Sequence, residues 1–182
     1  MKKALVGIFA SILLLLASGT PVVCQQQKSK LVETDAYNIF VDFNLSLKEV
    51  LTKTKYGYDH DITIKNFSHK NKGRYWVTVR TFYSAFEPVS TEEIKRQFKK
   101  YKIEPADLWV LSAIIESGMN FSGHTMIALG SISRKIKGFY YVPAVMSAIE
   151  SQHHLFLFRL VGDWDGGYCF VGISHKQKSK PQ

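Results

Sequence analysis

The chain has 182 residues, which favours one domain, and its 46% hydrophobic and 13% aromatic residues are typical of a globular protein. It contains no P-loop, dinucleotide fingerprint, GxSxG elbow or paired CxxC, so the enzyme classes that these motifs define are disfavoured, and no cofactor or metal is expected. The net charge of +9 makes acidic partners the natural class to consider.

The N-terminus has the pattern of a secretory signal. A basic Lys2-Lys3 precedes the apolar stretch Ala4–Ala17. Because that stretch is shorter than the ~20 residues of a membrane-spanning helix, we expect cleavage rather than anchoring, with export to a periplasmic or extracellular location. Residues 1–19 are the predicted signal peptide.

The cleavage site is less sharply defined than the signal itself. Small residues end the expected signal at Gly19, and a cut after Cys24 is the main alternative. Lipid anchoring at Cys24 is disfavoured, because Pro21-Val22-Val23 lacks the small residue expected just before a lipidated cysteine. Residues 20–36 are then expected to be a flexible lead-in.

The predicted exported chain stays basic, since the signal carries only Lys2 and Lys3 of the 24 basic side chains. The charge is concentrated in Lys65–Arg74, Lys95–Lys102, Arg134–Lys137 and His175–Lys180. In an exported protein this favours anionic lipid headgroups, cell-wall polymers or polysaccharide, and nucleic acid only distantly. Solvated faces that keep the protein soluble are the alternative.

Residues 37–176 are expected to form a single α+β domain, followed by a basic tail at 177–182. Tyr37–Phe43 is the first predicted strand, and Ser46 with Glu49 forms a capping box that starts a short helix. Tyr56–Asn66 is polar and predicts a loop. Arg74–Tyr83 alternates as a strand does.

Two further helices are predicted from their caps. Ser90 to Glu93 is a second capping box, and Ile94, Phe98 and Tyr101 then form one apolar stripe. Pro105–Ser117 has an apolar body with Gly118 at its C′ position, so it predicts a largely buried helix.

Four apolar runs in the C-terminal part predict consecutive strands: Met126–Ser133, Phe139–Met146, His154–Val161 and Tyr168–Ser174. Two hairpin turns would join them, one containing Gly138 and one spanning Gly162–Gly167. Pro143 cannot donate to a ladder, which predicts an edge strand or a bulge. The fold class is therefore α+β, a mostly antiparallel sheet with a C-terminal four-strand meander packed against two or three helices, with Pro105–Ser117 as its cover.

The order of several segments resembles a family of small uncharacterised bacterial proteins. The segments are FVDFNLSLKEVL, KYGYDHDITIKNF, STEEIKRQFKKYKIEPADLWVL, IALGSI, YYVPAV and WDGGYCFVGI. The resemblance covers roughly Ile39–Lys176 and implies no activity, substrate or catalytic residue. The chain differs from that family in its export signal.

Asp59-His60-Asp61 is the densest cluster of ionisable side chains. Two carboxylates beside an imidazole could act as an acid–base pair or bind a metal. Adjacent side chains diverge, however, so a site would need further ligands, and Asx-type hydrogen bonds in a loop are the alternative.

Asp163, Trp164 and Asp165 form the second candidate binding site. At a loop tip the indole could stack on a sugar while the acids accept its hydroxyls; alternatively Trp164 folds onto the core. The pair His153-His154 lacks a spaced metal-ligand pattern and predicts surface residues at a strand entry. Cys169 is expected to be buried and inert.

Three functions compete at this stage. The leading hypothesis is an exported, non-catalytic binding module for an anionic or carbohydrate envelope partner. The second is a hydrolase that brings Asp59, His60 and Asp61 together with Asp163 or Asp165. The third is a structural envelope subunit that self-associates through a sheet edge near Pro143.

Overall fold

The computed structural model describes residues 31–54, 57–84, 87–119, 124–147 and 153–179. The predicted signal peptide, both cleavage sites, Cys24 and the lead-in up to Lys30 lie outside the described residues. No helix within those ranges is long and apolar enough to cross a membrane.

The described chain is an α+β domain with three helices and a mostly antiparallel, seven-stranded sheet, which confirms the predicted fold class. The elements are β1 (Leu31–Asp42), α1 (Leu47–Lys53), β2 (Arg74–Ser84), β3 (Val89–Ser90), α2 (Thr91–Lys100), β4 (Glu104–Pro105), α3 (Leu108–Glu116), β5 (Thr125–Ile127), β6 (Tyr141–Ser147), β7 (His153–Arg159), β8 (Asp163–Trp164) and β9 (Tyr168–Lys178). The sheet order is β1-β2-β9-β5-β6-β7, with β4 also on β9, and β3 pairs separately with β8.

The long outer ribbon begins earlier and ends later than expected. β1 starts at Leu31, inside the predicted flexible lead-in, and β9 runs to Lys178, inside the predicted basic tail. These strand ends are polar and lack the apolar pattern by which the other strands were predicted. They are held by pairs of polar side chains on neighbouring strands. Thr34 bonds to Thr81 with 2.9 Å between the hydroxyl oxygens, and Glu33 forms an ion pair with Arg80.

One face of the sheet is covered by α1 and α3. The predicted capping box is confirmed: Ser46 accepts from the Glu49 amide, and the Glu49 carboxylate accepts from the Ser46 amide. Bonds from Ser46 lower the pKa of Glu49. Helix α3 is buried over Leu108–Ile115 and packs on β1 and β6 as the predicted cover.

Helix α3 nevertheless starts at Leu108 rather than at Pro105. Pro105 lies in β4 opposite Gly172, and the N-cap is Asp107, whose carboxylate accepts from the Val110 amide at 3.0 Å. A proline suits a first helical turn, but the β4 pairing with β9 holds this one extended. Gly118 follows the helix with φ of 68°, as its predicted C′ position requires.

The other face is covered in part by α2 and the β3–β8 ribbon. Ile94 and Phe98 of α2 are buried, and Ser90 caps the helix by accepting from the Glu93 amide at 3.1 Å. The Glu93 carboxylate bonds to Arg96 and Gln97. Tyr101 falls outside the predicted stripe, because the helix ends at Lys100 and the ring is 44% exposed.

The predicted four-strand meander is wrong at its last step. Strands β5, β6 and β7 are successive antiparallel neighbours, but β9 lies on the far side of β5, parallel to it and next to β2. The glycine-rich segment after β7 does not turn back. Thr91 holds it across the α2 face, donating from its hydroxyl to the Val161 carbonyl and from its amide to the Gly162 carbonyl, both at 2.8 Å.

The first predicted hairpin has its turn at Gly138, as expected, but its first strand is shorter than predicted. Ile136 and Phe139 exchange hydrogen bonds of 2.8 and 3.0 Å around Lys137 and Gly138, whose φ values of 48° and 88° define a type I′ turn. Strand β5 ends at Ile127 rather than at Ser133. Beyond Ile127, Ser133 and Tyr141 hold the connection together. The Ser133 amide donates to the Tyr141 carbonyl, and the Tyr141 amide donates to the Ser133 hydroxyl, both at 2.8 Å.

Pro143 is not at a sheet edge, which corrects that prediction. It lies in β6 between β5 and β7, opposite Leu157. The Ala128 amide donates to the Pro143 carbonyl at 3.1 Å, and the return bond is the one a proline cannot make. The sheet tolerates it because the β5 ladder ends at Ile127.

Candidate functional site

The Asp59-His60-Asp61 segment forms a surface loop. The Asp59 carboxylate accepts from the Asp61 amide at 2.9 Å, the Asx-type bond given above as the alternative. The Asp59 amide donates to the Leu155 carbonyl at 3.0 Å, so the loop lies against the outer side of β7. Nowhere in the described ranges do three or more His, Cys, Asp or Glu side chains form a group able to hold a metal.

Trp164 is part of the core and cannot stack on a sugar. The side chain is 1% exposed, and its indole nitrogen donates to the Thr91 hydroxyl at 2.8 Å. The rings of Phe158, Tyr168 and Phe170 surround it with centroid distances of 5.4, 5.7 and 5.5 Å. The sugar-stacking interpretation of this tryptophan is therefore wrong, and its core alternative is confirmed.

The acidic residues expected to meet in a hydrolase site lie at opposite ends of β7. Asp59 is bonded beside Leu155, whereas Asp163 and Asp165 are exposed beyond Arg159. Four strand steps separate Leu155 from Arg159, a distance of roughly 13 Å at strand spacing. The structure does not bring these candidate residues together.

Two other side chains resolve differently. His154 is exposed, as expected of a strand entry, but His153 is only 4% exposed, and burial lowers its pKa. The alternation of β7 turns His153 inward, which corrects its expected surface position. Cys169 is buried in β9 with a free thiol, and burial raises its pKa to about 12.

The thiol of Cys169 is expected to be unreactive in the folded protein. The reactive form is the thiolate, and with a pKa of about 12 roughly one molecule in 10⁴ is ionised near pH 8. In a Cys24→Ser variant, we expect a disulfide reagent to label Cys169 at least ~100-fold more slowly in the native state than in denaturant. Rapid native labelling would contradict the burial.

An exposed aromatic pair lies on the sheet face that α2 leaves open. Phe40 of β1 and Trp76 of β2 are direct cross-strand partners, with ring centroids 5.8 Å apart and planes inclined at 63°. They are 41% and 51% exposed. Two large aromatic side chains exposed side by side make this surface a candidate site for contact with another molecule.

Neutral hydrogen-bonding side chains continue this surface across three strands. Asn38 and Thr78 are the next residues on the same face, and the Thr78 hydroxyl donates to the Asn38 side-chain oxygen at 2.7 Å. On β9, Gln177 lies opposite Trp76 and His175 lies opposite Thr78, both exposed. We call these residues the Trp76 platform: Asn38, Phe40, Trp76, Thr78, His175 and Gln177.

A groove adjoins the platform at β1, the edge strand. Its volume is about 400 Å³, and Phe40 and Trp76 belong to its walls together with Ser112 and Glu116 from the C-terminal part of α3. An ion pair between Lys53 and Glu116, 2.8 Å long, stands at its far wall. Platform and groove therefore form one continuous surface around the edge of the sheet.

The alternation of β1 and β2 produces this surface. Ile39 and Val41 of β1 pack inward with Val77 and Val79 of β2, so the residues between them face out. Helix α2 and Trp164 cover the part of this sheet face that carries Phe82 and Phe170 and extends to Val142 of β6. Asp42 flanks the open part: burial alone raises the pKa of its carboxyl, but bonds from Asn44 and the Arg74 guanidinium lower it overall.

The fold and this surface define an α+β domain whose sheet is buried on one face and partly open on the other. No protein-family model, curated protein or solved structure matches the chain significantly. The resemblance to small bacterial proteins therefore stays a prediction, and function has to be argued from the surface itself.

Proposed function

We propose that the protein is a non-catalytic binding module for an envelope carbohydrate, which it holds on the Trp76 platform. The observation that carries the proposal is the exposed pair of Phe40 and Trp76 on a bare section of sheet. The wide separation of Asp59 from Asp163 supports a role without catalysis. The export signal predicted from the N-terminal sequence would bring the protein to such glycans.

The chemistry of the platform matches a sugar ring. One side of a pyranose presents C–H groups, which pack on an indole face, while its rim of hydroxyls needs donors and acceptors. The side-chain amides of Asn38 and Gln177 supply both donors and acceptors, and Thr78 and His175 add further polar atoms beside them. None of these six side chains is a carboxylate or a fixed cation, which favours a neutral glycan.

The adjoining groove supports a chain of sugars rather than a single one. A volume of about 400 Å³ is within the usual range for a small-molecule site, and it opens directly from the aromatic pair. A glycan that lies on Trp76 can therefore continue past Phe40 toward Glu116. The hydroxyl of Ser112 bonds to the Val50 carbonyl at 3.1 Å, which fixes the groove wall.

Replacing Trp76 by alanine tests the proposal. Stacking on an exposed aromatic ring is worth roughly 1–3 kcal/mol for nucleobases, and a similar contact here gives about a 5- to 150-fold loss of affinity. The measurement is retention on insoluble peptidoglycan and on immobilised neutral polysaccharides, followed by calorimetry with the soluble oligosaccharide of any polymer that binds.

Tyr58→Ala is the matched control, since Tyr58 is 42% exposed and lies beside Leu155 of β7, at the opposite end of the strand order from β1. We expect it to leave glycan binding unchanged. Equal retention of Trp76→Ala and the unmodified protein would overturn the proposal. A dimer that Trp76→Ala dissociates, with no glycan retained, would show instead that the aromatic pair is a self-association surface.

A further inference from the structure

The tip of the β5–β6 connection combines exposed apolar side chains with cations. Ile132, Phe139 and Tyr140 are 42%, 42% and 46% exposed. The exposed cations are Arg134, Lys135 and Lys137 on the tip and Arg159 on the neighbouring strand β7. We call these seven residues the cationic tip. The surface is separate from the Trp76 platform, which lies at the opposite end of the strand order.

The tip segment itself carries no acidic side chain that could balance this charge. The sequence contains no Asp or Glu from Ser117 to Ile149. Among the residues that the structure describes, none of the four cations forms a salt bridge. By contrast, Arg96 on α2 pairs with Glu93, and Lys176 of β9 pairs with Glu104. The cationic tip thus presents four unneutralised charges in one place.

The tip is held in shape by its own hydrogen bonds. The type I′ turn at Lys137 and Gly138 fixes its end, and the Arg134 amide donates to the Asn66 carbonyl at 2.9 Å. The Leu160 amide donates to the Tyr140 carbonyl, also at 2.9 Å, which ties the tip to the end of β7. The apolar side chains are therefore exposed on an ordered scaffold.

The cations cover the aromatic rings on one side. The Arg159 guanidinium carbon lies 3.6 Å from the centroid of Phe139, and the Lys135 ammonium lies 5.6 Å from that of Tyr140. A ring covered in this way has one face fewer for stacking on a base or a sugar. The aliphatic Ile132 adds no stacking surface. Both observations disfavour a nucleic acid or glycan partner for this tip.

We propose that the cationic tip docks the protein on the surface of an anionic phospholipid bilayer. Ile132, Phe139 and Tyr140 enter the boundary between headgroups and acyl chains, where aromatic side chains accumulate. Arg134, Lys135, Lys137 and Arg159 contact the lipid phosphates, because a negatively charged leaflet attracts each nearby cation. The charge complementarity and the ordered apolar tip together select this partner.

Co-sedimentation with vesicles measures the docking. The unmodified full chain is expected to bind phosphatidylcholine vesicles containing about 30% phosphatidylglycerol more tightly than pure phosphatidylcholine. An Arg134→Glu/Lys135→Glu variant should bind the anionic vesicles at least ~20-fold more weakly, since each cation near the surface contributes about fivefold. Raising the ionic strength from ~0.1 M to ~0.5 M should reduce the difference in affinity between the unmodified protein and this variant.

A Lys99→Glu/Lys100→Glu variant is the matched control, because it makes the same charge change on exposed residues of α2. We expect less than about a threefold loss of binding for it. Equal losses in both variants would mean that net charge alone drives binding, and the proposal would fail. Circular dichroism melting curves of both variants check that each one folds.

Hydrogen–deuterium exchange gives a local readout that the N-terminal residues do not influence. Anionic vesicles should slow amide exchange in the segment from Arg134 to Tyr140 and leave the segment from Lys95 to Lys100 unchanged. Unaltered exchange at the tip in the presence of bound vesicles would overturn the proposal. Tighter binding to duplex DNA than to the vesicles, lost in the Arg134→Glu/Lys135→Glu variant, would identify a nucleic-acid site instead.

Discussion

Gly130→Ala is expected to lower the free energy of unfolding by about 3 kcal/mol or more, a large fraction of the stability of a typical domain. A Cβ atom at Gly130 would lie 2.4 Å from the Pro105 carbonyl oxygen and 2.6 Å from that of Ala106. Both contacts are with backbone, so no side-chain rotation relieves them. Chemical denaturation followed by tryptophan fluorescence measures the change.

The surrounding backbone cannot move away, because Pro105 belongs to β4 and is paired with β9. The Gly130 amide donates to the Ala106 carbonyl at 2.8 Å, and the Ala106 amide donates to the Val171 carbonyl of β9 at 2.9 Å. Gly162→Ala is the control, since its Cβ would meet nothing within 4 Å. We expect that control to stay within about 0.5 kcal/mol of the unmodified protein. Equal stability of the two variants would contradict the close approach.

Trp164→Ala is expected to destabilise the protein by about 4 kcal/mol. The substitution leaves a large cavity among Phe158, Tyr168 and Phe170, and it deprives the Thr91 hydroxyl of a hydrogen-bond donor. It also releases the crossing segment, whose small β8 strand depends on this indole. Thermal and denaturant unfolding, monitored by far-ultraviolet circular dichroism, measure the loss.

Two variants separate the causes of that loss. Trp164→Phe keeps an aromatic ring and removes the bond to Thr91, so it should recover most of the stability and cost about 1–2 kcal/mol. Trp76→Ala removes the same side chain from a surface position that is 51% exposed, and should cost less than about 1 kcal/mol. A small effect of Trp164→Ala would mean that the indole is not a core anchor.

Local signals in the sequence predicted local structure well. Ser46 with Glu49 indicated the start of α1, Gly118 the end of α3, and Gly138 the position of a turn, because each depends on bonds between near neighbours. The apolar body of α3 predicted a buried helix for the same kind of reason. Strand β2 was predicted almost to its observed ends.

Strand neighbours could not be predicted, because they depend on contacts between distant residues. The apolar run Tyr168–Ser174 identified a buried strand, but nothing within it specified β2 and β5 as partners rather than β7. The glycines before it are typical of a tight turn. The segment that contains them instead crosses the sheet face covered by α2, because Trp164 packs there and donates a hydrogen bond to Thr91.

The Trp76 platform was missed for a related reason. The alternation with Val77 and Val79 predicted that Trp76 and Thr78 share one face of a strand. It could not predict that this face is left uncovered. Whether α2 covers that face is decided by the position of β3 and β8, far along the chain. The more conspicuous Trp164, set among aspartates and glycines, was the weaker candidate because Thr91 and helix α2, which hold it in the core, are distant in sequence.

The central place of β9 also fixes the order in which the molecule can be completed. The β1–β2 ribbon and the β5–β6–β7 ribbon share no ladder, and β9 alone joins them within the described sheet. While the ribosome is still making the chain, each ribbon has one long side without a neighbour. The sheet can close only once β9 is in place, so the two ribbons are expected to fold cooperatively through this strand.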